Sequence, residues 1–74
     1  MKKFSVVIAN RHATSVSLED EFYLELLNLA KEQNLTLNSL ITNIDKTRLT
    51  PNLSSAIRIY ILKTLRQKLE KSLK

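Results

Sequence analysis

The run Thr14-Ser15-Val16-Ser17-Leu18, followed at once by Glu19-Asp20-Glu21-Phe22, constrains this chain more than any other stretch. Thr14, Val16 and Leu18 alternate with Ser15 and Ser17, the period-two signature of a half-buried strand. Three acids then occupy what reads as the first turn of a helix, where the macrodipole favours negative charge. A lone strand of this length leaves its backbone donors and acceptors unpaired and is not stable by itself. It requires a second strand, from elsewhere in the chain or from another copy.

Size narrows the choice. The chain has 74 residues, enough for one small domain, and neither a cysteine nor a metal-binding cluster to staple it. Yet 43% of the residues are apolar, too many for a disordered tail. Oligomerisation is the remaining way to bury that surface, and an obligate homodimer is expected. Charge is uneven along the chain. Residues 1–18 carry +3 (Lys2, Lys3, Arg11), residues 19–33 carry −4, and residues 34–74 carry +6. A dimer would total +10, which suits a polyanion such as nucleic acid, although a lysine-rich solubilising surface accounts for the charge equally well. No apolar run approaches the roughly 18 residues of a membrane span. The apolar run Phe4–Ala9 behind Lys2-Lys3 is too short for a signal peptide, so no membrane partner is expected and a cytoplasmic location is.

Residues 3–9 form a second strand candidate, with a loose basic arm as the alternative. Folded back through a loop Asn10-Arg11-His12, this strand would pair Ala9 with Ala13 and Val6 with Val16. Phe4, Val6 and Ile8 would then share a face with Thr14, Val16 and Leu18. A first helix is expected over 19–33, with Phe22, Leu26, Leu29 and Ala30 inward, Tyr23 and Leu27 widening the face, and Asn34 as a left-handed cap. Thr36 reads as the N-cap of a second helix over 37–48, with core positions Leu37, Leu40, Ile41 and Ile44. Pro51 announces a third over 52–72, with a stripe of Leu53, Ala56, Ile57, Tyr60, Ile61, Leu65 and Leu69. Ile59 and Leu62 broaden that stripe and are assigned to a partner subunit rather than to a membrane surface. The whole is one domain, 1–74.

Catalysis has little to draw on. There is no cysteine and no glycine, and the single histidine, His12, has no carboxylate near it in sequence. Neither an enzyme nor a metal, cofactor or small-molecule substrate is expected. A nucleic-acid mechanism is better supported. Two copies of the 13–18 strand, paired antiparallel about a two-fold axis, would make a ribbon with an apolar face for the helices. Its polar face, bearing Ser15 and Ser17, would fit the major groove. The first-turn amides after Thr36 offer a phosphate site.

The run Thr14–Phe22, the helix ending Leu29-Ala30-Lys31-Glu32-Gln33-Asn34 and the restart Leu35-Thr36-Leu37-Asn38-Ser39-Leu40-Ile41 resemble the ribbon-helix-helix DNA-binding family. So does Asn52-Leu53-Ser54-Ser55-Ala56-Ile57-Arg58 at the start of the last helix, which is similar to a bacterial subfamily. The resemblance covers residues 13–62. It implies an intertwined homodimer with its strands in a major groove and regulation of transcription; with the strand candidate 3–9 and the long last helix, the expected fold is α+β, mostly helical, a ribbon-helix-helix with an extra N-terminal strand and a long C-terminal helix. Its base-reading positions fall on Ala13, Ser15 and Ser17, all small, where the family often has long polar side chains. If residues 3–9 pair with 13–18, the dimer has a four-stranded sheet that is broad for the groove, so Arg11 in the turn is added to the base side. Lys2, Lys3, Thr36, Leu37 and Asn38 are placed on the phosphate side. Val16, Leu18, Phe22, Leu40, Ile41, Ile57 and Ile61 are assigned to the dimer core. The alternative is a protein-interaction module, adaptor-like or antitoxin-like, that keeps the dimer without strong DNA readout.

Overall fold

A computed structural model describes residues 1–8 and 12–72. The order is β1 (Lys2–Ile8), β2 (His12–Leu18), α1 (Asp20–Glu32), α2 (Leu37–Thr47) and α3 (Leu53–Ser72). The two strands form an antiparallel hairpin, so the edge of β2 that faces β1 is satisfied within its own chain.

Register departs from expectation by one residue on each strand. Val6 pairs with Thr14 and Phe4 with Val16, not Val6 with Val16. His12 belongs to β2, where it pairs with Ile8, so the segment between the strands is residues 9–11 rather than 10–12. Ala9, Asn10 and Arg11 lie outside the described residues. Moving a three-residue connection back by one position preserves side-chain parity. Phe4, Val6, Ile8, Thr14, Val16 and Leu18 therefore still share one face, with Val6, Val16 and Leu18 buried.

Local chemistry sets the helix ends. Asn34 adopts φ 56°. Its N–H donates to the Lys31 carbonyl and the Leu35 N–H reaches back to the Ala30 carbonyl at 2.9 Å. This paired arrangement closes the end of α1, and half-buried Leu35 packs beneath it. Thr36 then caps α2, its hydroxyl accepting from the Ser39 N–H at 3.0 Å. Asn52 does the same for α3, its side chain accepting from the Ser55 N–H at 3.2 Å. Arg48 reaches the Pro51 carbonyl at 2.9 Å and Asp45 at 3.0 Å, which fixes the α2–α3 connection.

One chain alone encloses a core of Val6, Val16, Leu18, Leu26, Leu29, Ala30, Leu40, Ile41, Ile44, Ala56, Ile57 and Ile61. Six residues assigned above to a dimer core (Val16, Leu18, Leu40, Ile41, Ile57 and Ile61) are buried inside a single protomer, and Phe22 is half-buried. The physical reason is β1. It pairs one edge of β2 and contributes Val6, so the hairpin roofs all three helices. The stripe on α3 is shorter than its periodicity suggested. Inward burial ends at Ile61, while Leu65 and Leu69 are exposed, and beyond that point the contact of α3 with α1 is the surface Lys68–Glu32 pair.

Candidate nucleic-acid interface

The side chains of β1 and β2 that point away from the helices are Lys3, Ser5, Val7, Ala13, Ser15 and Ser17. Cross-strand register sets Lys3 opposite Ser17, Ser5 opposite Ser15 and Val7 opposite Ala13. All are exposed except half-buried Ser17. The face is thus small and polar at its centre, with a lysine on each protomer.

The edges differ. Val7 directs both its backbone groups away from β2. Its N–H donates to Asn38 Oδ1 and its carbonyl accepts from Asn38 Nδ2, each at 2.7 Å. The carboxamide thus stands where a residue of a neighbouring strand would stand. Because Val7 and Ala13 face each other, Ala13, Ser15 and Ser17 likewise direct their backbone groups away from β1. No hydrogen bond between described residues occupies that edge of β2. The outer edge of β1 is plugged at Val7, and among the described residues the outer edge of β2 is open.

The Asn38 contact also fixes α2 against the sheet. Asn38 is the second residue of α2, so its grip on Val7 holds the helix N-terminus beside the outer edge of β1. Thr36 occupies the Ser39 N–H, and the Thr36 carbonyl receives Leu40 N–H. The N–H groups of Leu37 and Asn38 are left as the helix's unsatisfied donors.

A second polar link lies at the β2–α1 junction. Arg58 of α3 holds Glu19 in a bidentate pair, Nε to Oε1 at 2.8 Å and Nη2 to Oε2 at 3.3 Å, with its guanidinium 6.0 Å from the Phe22 ring centre. The Arg58 hydrogen bonds, helped by the Glu19 backbone N–H, hold this carboxyl below its ordinary 4.5. Phe4 and Tyr23, 5.0 Å apart between ring centres, join β1 to α1.

Against the expected site residues, the structure brings Ala13, Ser15, Ser17 and Lys3 onto one outward face. Lys2 lies on the opposite parity, its ammonium 5.5 Å from the Tyr23 ring centre, and Arg11 is outside the described residues. Thr36 is a cap, Leu37 is half-buried, and the Asn38 side chain is committed to β1. Sequence reasoning passed over Ser5, which the alternation of β1 already placed on the same face as Ser15 and Ser17; the structure sets it opposite Ser15. It had no signal for the Asn38–Val7 link, which spans 31 positions.

The chain is thus a two-stranded ribbon leading into two helices, with the N-terminus of the second held at the sheet edge. The sequence matches the ribbon-helix-helix domain family over residues 1–65, and the chain belongs to that family. The family generally binds DNA as dimers and regulates transcription. No curated protein and no solved structure gave a match.

Proposed function

We propose that this chain binds duplex DNA as a homodimer and regulates transcription. The observation that supports this most is the Asn38 grip on Val7, which sets the free amides of Leu37 and Asn38 beside the outward face that carries Lys3, Ser5, Ser15 and Ser17. Pairing of two β2 edges gives a four-stranded sheet with both α2 N-termini at its outer margins. Such a sheet spans about 14 Å between its outer strand axes at a spacing of ~4.8 Å, against a major groove ~12 Å wide. The central β2 pair enters the groove, while the β1 strands ride over its walls. Ser15 and Ser17 then meet base edges. Lys3, opposite Ser17, reaches the backbone with the α2 amides.

The phosphate part of this reading is tested by titrating duplexes across a salt series. Affinity is expected to fall steeply with salt, and Lys3→Ala to flatten the slope of log K against log salt by about 2 per dimer. Ser15→Ala is expected to change sequence preference in a random-duplex selection with little change in slope. A folded protein that binds no duplex at low salt sinks the proposal. Stoichiometric co-purification with another protein, together with that absence, would establish the protein-interaction alternative.

A further inference from the structure

A depression of 360 Å³ opens between the last turn of α2, the α2–α3 connection and the first half of α3, a volume within the range of small-molecule sites. Ile44 and Ala56, both buried, line it from the core. Ala56, Ile59, Tyr60 and Lys63 recur at the spacing that sets side chains on one face of a helix, and all four line it. Leu49 lines it from the connection and is 99% exposed. That connection is not slack. Arg48 ties it to Asp45 and to the Pro51 carbonyl, and the Asn52 N–H donates to Thr50 Oγ1 at 3.4 Å. An exposed leucine and an exposed isoleucine are thus held at one apolar hollow, and both are stabilised by anything apolar that covers them.

Charge selects the cover. The charged side chains on the depression are Arg48 and Lys63, and among the described residues no acid lines it. The carbonyl end of α2 favours a cation, and Arg48, held to Asp45 at 3.0 Å, already supplies one there. Lys63 has no ion-pair partner among the described residues. Glu70, the acid in the same row of α3, stands two turns further on, about 10 Å along the axis. Tyr60 supplies a second donor. Its Oη accepts from Gln33 Nε2 at 2.6 Å, which leaves its own proton to give. Tyr60 and Lys63 are neighbours on the helix surface, so two donors, one of them charged, stand together beside an apolar hollow.

We infer that this depression binds a small amphipathic carboxylate, its apolar body against Ile44, Ala56, Ile59 and Leu49 and its carboxyl group received by Lys63 and Tyr60. The site lies at the opposite end of α2 from the Asn38 link, so its failure leaves the reading of the sheet face intact.

Octanoate is the probe, with octanol and octylamine as its uncharged and cationic counterparts, each titrated into the full chain and followed by amide chemical shifts. Octanoate is expected to saturate with a Kd on the order of 1 mM, the range for a ligand of about ten non-hydrogen atoms. The amides of Ile44, Leu49, Ala56 and Tyr60 should shift most. Octanol is expected to bind at the same residues about tenfold more weakly, and octylamine more weakly still. Lys63→Gln should bring octanoate to the level of octanol, a loss of about tenfold, and leave octanol unchanged. Leu49→Ser should weaken both by about fivefold. Both replaced side chains are exposed, and unchanged helical circular dichroism checks that the variants fold. Equal binding of octanoate and octylamine overturns the inference, as does an octanoate affinity that Lys63→Gln leaves alone, or shifts confined to other parts of the chain. Lining amides that shift on dilution and ignore octanoate also overturn it, since another copy of the chain would then fill the hollow.

Discussion

Asn38 uses both halves of its carboxamide on a single residue of β1, and a side chain can imitate a strand only if donor and acceptor stand side by side at the backbone's spacing. Asparagine at the second position of α2 satisfies that condition with two 2.7 Å hydrogen bonds. Asn38→Ala leaves the Val7 N–H and carbonyl to water and is expected to cost about 1–2 kcal/mol in urea denaturation. It should also raise the exchange rate of the Val7 amide above that of its neighbours. Asn38→Asp tests the polarity of the link. A carboxylate can accept from the Val7 N–H but faces the Val7 carbonyl with no donor, so it should be at least as destabilising. If Val7 exchange is unchanged in both variants, the link contributes nothing in solution. Asn34 makes a comparable point through the backbone. At φ 56°, Asn34→Gly should be neutral or slightly stabilising, whereas a β-branched Asn34→Val should cost on the order of 1–3 kcal/mol.

The elements are joined at their ends by polar links, and the Glu19–Arg58 pair ties the start of α1 to α3. Its pH dependence follows from the lowered Glu19 carboxyl. A carboxylate held below its unfolded value of 4.5 contributes stability above that value and loses it as pH falls through the folded one. Thermal or urea midpoints should therefore drop on acidification below pH 4.5, and Arg58→Gln should flatten that drop while lowering stability at neutral pH. An unaltered acid profile in Arg58→Gln would show that the pair is silent. At this scale much was legible beforehand. The shared face of the two strands, the left-handed Asn34 and the Thr36 cap were all readable, because each is decided by residues a few positions apart. The hairpin register was not, because whether His12 belongs to a strand or a turn depends on pairing with Ile8 rather than on its own neighbours. The Asn38 grip was illegible for a stronger reason: nothing near position 38 reports an edge 31 residues earlier. The α3 stripe misled in the other direction. A helix keeps its period beyond the body it packs against, so Leu65 and Leu69 looked like core and are surface.

For the whole molecule the consequence is a division of labour along its 42 Å length. The compact part ends where burial on α3 stops, at Ile61, and the remaining two or three turns project basic residues and leucines. Within the chain, that projection is attached to α1 by the Lys68–Glu32 ion pair, a surface contact between half-exposed side chains. Pairs of this kind contribute roughly 0–1 kcal/mol, far less than the core. A chain ending at Leu65 should accordingly keep its hairpin, its Asn38 link and its cooperative unfolding. It should lose no more than about 1 kcal/mol at concentrations where it is monomeric. Urea denaturation of the shortened chain beside the full chain measures this difference. Collapse of the native fold on removing residues 66–74 would mean that the far end of α3 is structural rather than a projection from the compact part.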